Sequence, residues 1–99
     1  MIKLLMTWDL KNDLEQPYLE FVMREFVPGL MRLGVQPTEA WYTLYGEGPQ
    51  ILTGGVTDDL ESMEKVLASD EWKELVAKLL KLVTNFQYKI IQANGRFQL

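Results

Sequence analysis

The chain has 99 residues, a formal net charge of −4 and neither cysteine nor histidine, which bounds it to one small acidic domain. Without Cys there is no disulfide, thiolate nucleophile or thiolate metal site, and without His the commonest metal ligand and general base are missing. The negative charge speaks against a nucleic-acid binder, which needs a basic footprint, while 47% hydrophobic against 24% charged residues excludes a disordered chain.

Ile2 to Leu10 alternates, with Ile2, Leu4, Met6, Trp8 and Leu10 on one face and Lys3, Leu5, Thr7 and Asp9 on the other. That is a strand period. Asp9 and Lys11 end the apolar run before it could form a secretory segment, and no stretch nears the roughly 18 apolar residues of a membrane span. The expected address is therefore cytoplasmic, with no membrane partner. From about Glu15 the period becomes helical, and Leu19, Val22, Met23, Phe26, Leu30 and Leu33 form a stripe that Gly34 stops. Pro28-Gly29 lies inside it. A proline lacks a backbone donor and crowds the preceding turn, which predicts a kink or local break.

Glu39 to Tyr45 is aromatic and alternating, a second strand. Gly46 to Pro49 is turn chemistry, and Gln50 to Val56 completes a hairpin. Gly54-Gly55 reads as a bulge or twist, and alternatively as a place where a ligand or helix approaches bare backbone. Asp58 followed by Glu61 predicts an N-cap and a helix from about Asp59. Its apolar residues are Leu60, Met63, Val66 and Leu67, whereas Trp72, Leu75, Val76, Leu79, Leu80 and Val83 make a second stripe. In one continuous helix the two stripes would point about half a turn apart, so no straight helix buries both against one sheet. A break over Ala68 to Glu71 follows, with Ser69 capping a helix that begins at Asp70. Asn85 to Asn94 alternates again as a fourth strand.

Strand, helix, hairpin, helix, strand is the ferredoxin-like βαββαβ order of an α+β domain spanning residues 1–99, a four-stranded antiparallel sheet with helices on one face. The strands are not cleanly polar on the other face: Leu5 opposes the Met6 face of the first strand, Tyr42 and Leu44 oppose Trp41, Ile51 opposes Leu52, and Ile90 sits beside Ile91, which leaves apolar side chains on both sides. A sheet of this kind wants cover on both faces, and a second copy of the chain would supply it. A homodimer is expected.

The element order, the stretch Phe26-Val27-Pro28-Gly29-Leu30 running into Leu33-Gly34, and Ser69-Asp70-Glu71-Trp72 opening the last helix resemble the dimeric α+β barrel superfamily. That group includes NIPSNAP-like and EthD-like proteins and the antibiotic-biosynthesis-type monooxygenases. The resemblance implies two sheets packed face to face into a dimeric α/β barrel, with ligands between each sheet and its own helices. Haem-binding members of the family need a histidine that this chain lacks, so no cofactor and no metal is expected.

Three functions stay open. The first is a homodimer that binds a small, mostly apolar or aromatic molecule between sheet and helices, with Trp8, Asp9, Tyr18, Arg24, Trp41 and Tyr45 as candidate pocket residues. The second is a cofactor-independent oxygenase acting on an aromatic or polyketide-like substrate. Trp8, Trp41 and Tyr45 would then wall the pocket, Asp9 or a tyrosine would handle a proton, and Arg24 would hold an anionic oxygen. The third is an assembly module without a ligand. Large aromatics fill cores whatever the function, and a lone arginine on an amphipathic helix is ordinarily a solvated one.

Overall fold

A computed structural model describes residues 1–43 and 46–93. The elements are β1 (Ile2–Leu10), α1 (Glu15–Phe21), a π-helical segment (Val22–Phe26), α2 (Val27–Arg32), β2 (Gln36–Tyr42), β3 (Ile51–Thr57), α3 (Leu60–Ala68), α4 (Asp70–Leu79) and β4 (Val83–Gln92). The strands form one antiparallel sheet in the order β2-β3-β1-β4, which confirms the ferredoxin-like topology. Strands two and four begin three and two residues earlier than the alternation predicts. The ends predicted at Tyr45 and Asn94 lie outside the described residues.

The first helical stretch departs from expectation in an instructive way. Its buried residues are Tyr18, Phe21, Phe26, Gly29 and Leu30, while Leu19 and Met23, placed in the stripe by their spacing, are 51% and 73% exposed. The chain does not break before Pro28. Instead it widens, with Val27 N–H reaching back to the Val22 carbonyl, and a wider turn absorbs one extra residue. The buried face therefore steps by five from Phe21 to Phe26, and a strict 3.6-residue period cannot follow it. Gly34 does stop the helix. At φ 94° it directs its N–H to Met31 O and the next N–H, from Val35, to Leu30 O (3.0 and 2.9 Å). This is a Schellman cap, and it turns Val35 into the core, where it is 1% exposed.

Val35 explains Gly55. A Cβ on Gly55 would stand 2.5 Å from Val35 Cγ1, and one on Gly54 would meet the Glu39 carboxylate at the same distance. The paired register slips opposite them, between Pro37 and Glu39. Of the two readings of Gly54-Gly55, the strand irregularity is present opposite them, and among the described residues no helix approaches the bare backbone. There is a bulge, carried by β2, and the close approach is made by the protein's own side chains.

At the second helical layer the cap falls one residue later than predicted. Asp59, not Asp58, accepts from Ser62 N–H (2.8 Å), because β3 runs on through Thr57 and the turn needs Asp58. The break at Ser69 is as expected. Its hydroxyl donates to Val66 O at the end of α3 (2.6 Å) and accepts from Trp72 N–H at the start of α4 (3.2 Å). The reorientation lets Met63 and Val66 of α3 and Trp72, Leu75 and Leu79 of α4 face the same core.

Both helical layers lie on the β1 face that carries Leu4, Met6 and Trp8, each at most 1% exposed. By strand alternation and register, the other face presents Leu5 and Thr7 of β1, Leu52 and Val56 of β3, Trp41 of β2, and Gln87, Lys89 and Ile91 of β4. Nothing within the described chain covers it, and Trp41 is 66% exposed.

Candidate functional site

Between the helical layer and the sheet lies a cavity of about 100 Å³. Trp8 and Ile51 from the sheet form its floor, Tyr18, Phe26 and Leu30 its helical wall, and Val35, Ala40 and the bare Gly54-Gly55 backbone its flank. Each wall follows from a local rule already met. Trp8 points inward by strand alternation, the π-helical segment brings Phe26 into phase with Tyr18, and the Schellman cap delivers Val35. Trp8 is boxed by three rings, with Tyr18 and Phe26 set edge-on at 6.3 and 6.0 Å and Phe86 tilted at 6.1 Å. These contacts hold the indole in one pose.

The cavity has two polar side chains in its wall. Thr53 donates its hydroxyl proton to the Glu39 carbonyl (3.2 Å). Tyr18 is 6% exposed and its oxygen accepts from Trp8 Nε1–H at 3.0 Å. Burial pushes the Tyr18 phenol above its ordinary pKa, only partly opposed by the Trp8 hydrogen bond, so it stays protonated at neutral pH. It accepts here, keeps its proton free to donate, and is a poor base.

The candidate residues divide. Trp8 and Tyr18 meet at the cavity. Asp9 points to the opposite side of β1, where it accepts from Gln50 N–H and Asn85 Nδ2 (both 2.8 Å). The Asn85 amide, and then the Gln50 N–H, hold its carboxyl below the usual range. It clamps the start of β3 to the irregularity in β4, where Asn85 adopts φ 56°. Arg24 lies in a shallow cleft on the outer helical surface with Glu25, Arg32, Glu71 and Lys78, and it is no part of the cavity wall. Ion pairs Arg32–Glu71 (2.8 Å) and Lys78–Glu25 (2.7 Å) bridge the helices there. Trp41 sits on the uncovered face of the sheet, so Trp8 and Trp41 do not wall one pocket. Tyr45 lies outside the described residues.

A second depression, a groove of about 430 Å³, runs over that uncovered face between Leu5, Leu52, Pro49, Gln87 and Lys89. Beside it Lys3 reaches across β3 to Glu39 (2.6 Å), over the space that Gly54 leaves empty. The Lys3 ammonium holds the Glu39 carboxyl below its ordinary value. Among the described residues no group of three acidic side chains gathers where a metal ion could be held, and no helix is long and apolar enough to cross a membrane.

Sequence reading misses Phe26, Leu30 and Val35 as cavity residues. Phe26 and Leu30 carry the helical signal of any core residue. Val35 follows a helix stop and shows no periodicity of its own. The one legible pointer is the Gly-Gly pair, since bare backbone in a strand marks close approach.

No family profile and no curated protein matches the sequence. Solved structures share the fold. A NIPSNAP domain protein from Burkholderia xenovorans superposes with a TM-score of 0.71 at 11% identity, over 99% of this chain and 99% of that one. An EthD family protein from Bacillus halodurans gives 0.75 at 17%, over 95% and 99%. A protein from Arabidopsis thaliana gives 0.79 at 9%, over 99% and 100%. Identities this low speak for architecture alone: the chain has the α+β fold of the NIPSNAP-domain and EthD-family proteins.

Proposed function

We propose that this protein is a small-molecule-binding protein that works as a homodimer and holds a small, mostly apolar molecule between its helices and its own sheet. The observation that carries the reading is the cavity at Trp8 and Tyr18: apolar on nearly every side, yet provided with one buried hydroxyl. Ligand sites combine these two features, an apolar lining and a few placed polar groups. The volume, about 100 Å³, restricts the ligand to a small one.

The oxygenase reading needs a base beside the substrate. Asp9 is turned away and committed to Gln50 and Asn85, and Tyr18 is held in its protonated form, so neither supports proton abstraction in the cavity. A module that only assembles would have no need of an open space beside a phenol. Dimerisation through the uncovered sheet face is supported by the apolar character of Leu5, Leu52 and Trp41 there, and it would leave the cavity on the far side of each sheet.

Tryptophan emission tests the binding reading. With Trp41→Phe and Trp72→Phe in place, Trp8 is the remaining reporter. A panel of small aromatic and apolar compounds is expected to include at least one that shifts or quenches its emission saturably. A flat response across the panel would refute a binding role.

A further inference from the structure

We infer that the molecule held beside Tyr18 is uncharged and carries one acceptor oxygen, a carbonyl or an ether, that takes the Tyr18 O–H proton. This rests on reading the cavity as a binding site and names the chemical class that the site selects.

Three observations lead there. The first is size. About 100 Å³ is smaller than the roughly 150 Å³ of an apolar cavity that accepts benzene, which caps the ligand at about six heavy atoms. The second is charge. No Lys, Arg, Asp or Glu side chain lines the cavity, so an ionic ligand would lose its hydration and find no counter-charge.

The third is the direction of the one available hydrogen bond. Trp8 Nε1–H is spent on the Tyr18 oxygen at 3.0 Å, and the Thr53 proton on Glu39 O. The Tyr18 proton alone finds no acceptor among the described residues, and burial keeps the phenol from giving it up to water. A buried donor of this kind is complete only when an acceptor arrives. A lone water would serve poorly, because buried waters are ordinarily held by about three hydrogen bonds and this one would be offered one donor in an apolar space. An oxygen attached to a small hydrocarbon body satisfies the proton and the walls together.

The test uses three five-membered-ring probes on the full chain: cyclopentanone, methylenecyclopentane with =CH₂ in place of the oxygen, and pyrrolidinium, which is charged at neutral pH. Dissociation constants come from amide NMR titrations of the wild type and of Tyr18→Phe. The expected result is that Tyr18→Phe weakens cyclopentanone about three- to tenfold, the worth of one neutral hydrogen bond. Methylenecyclopentane should change by less than about twofold by the same measure, and pyrrolidinium should not bind. The unchanged hydrocarbon also reports that the variant cavity is intact. If Tyr18→Phe does not fold, the wild type still decides, because the Trp8 indole N–H shares the Tyr18 oxygen. Its resonance should move on adding the ketone and stay near its free position with the hydrocarbon; equal movement with both would overturn the inference. Equal loss of ketone and hydrocarbon in the variant, no loss of either, or binding of pyrrolidinium would also overturn it. In those cases, binding of methylenecyclopentane would leave the cavity standing as an apolar site. Failure of all three probes would remove both the inference and the binding role.

Discussion

Single residues set the shape of the cavity through contacts that depend on the absence of a side chain as much as on its presence. Gly55 is the clearest case. Its would-be Cβ lies 2.5 Å from Val35 Cγ1 and 3.2 Å from Gln36 O, and neither neighbour has room to move: Val35 is buried and stiff at χ1, and the oxygen belongs to the backbone of the paired strand. Gly55→Ala is therefore expected to lower unfolding free energy by about 1–3 kcal/mol, the usual cost of overpacking. Removing the opposing bulk should recover part of that, so chemical denaturation of Gly55→Ala combined with Val35→Ala should show a loss smaller than the sum of the single losses. Strict additivity would mean that the pair does not set the approach. The Tyr18–Trp8 pair acts differently, through a shared hydrogen bond that orients the phenol and leaves its proton for something else. A tyrosine and a tryptophan ten residues apart carry no trace of this in the sequence, because the contact joins a strand to a helix.

Elements are joined by economical means. One serine hydroxyl ends α3 and begins α4, donating to Val66 O and accepting from Trp72 N–H, and with Ser69 at φ −73°, ψ 150° the chain turns there. Ser69→Ala removes both bonds and is expected to cost about 1–2 kcal/mol, measurable as a lower denaturation midpoint at unchanged m-value. An effect below a few tenths of a kcal/mol would show that the two stripes, rather than the cap, hold the corner. This break was legible because two helical stripes out of phase cannot share one sheet. The slip in the first helix was not, for a related reason. The π-helical segment changes the period inside a single stripe, and Leu19 and Met23 satisfy the 3.6-residue pattern as well as Tyr18 and Phe21 do. Sequence periodicity reports a change of phase only when residues on both sides of it are unambiguous.

The whole molecule is a sheet with one covered face. Leu4, Met6 and Trp8 have their helices. Leu5, Leu52, Val56, Trp41 and Ile91 have none, with Thr7, the Lys3–Glu39 pair and the polar ends of Gln87 and Lys89 among them. An exposed apolar face of this kind marks a candidate interaction surface, and in the proposed homodimer a second copy would meet it with the same apolar residues in a two-fold arrangement. Light scattering at micromolar concentration is expected to give twice the 11.5 kDa chain mass. Leu52→Lys, which places a charge in that face away from the helical core, should shift the protein to monomer with its far-ultraviolet circular dichroism intact. A wild-type monomer under these conditions would remove the dimer from the proposed function and leave the cavity untouched, since the two lie on opposite faces of the sheet.

The order of elements, the one-sided position of the helices, the apolar character of both sheet faces and the break at Ser69 are all properties of local period and local capping, and the sequence by itself determined them. Hydrophobic spacing along a chain encodes which side of an element is wet, and Ser, Asp and Gly encode where it ends. The grouping of the candidate residues was decided elsewhere. Trp8 and Trp41 are alike in sequence, each an aromatic in an alternating strand, and they stand on opposite faces because pairing register and the slip between Pro37 and Glu39 choose the side. Asp9 is drawn to Gln50 and Asn85, 41 and 76 residues away, and Arg24 to the outer helical surface. A binding site is an agreement among residues distant in the chain, and only the packing of helices on sheet says which of them meet.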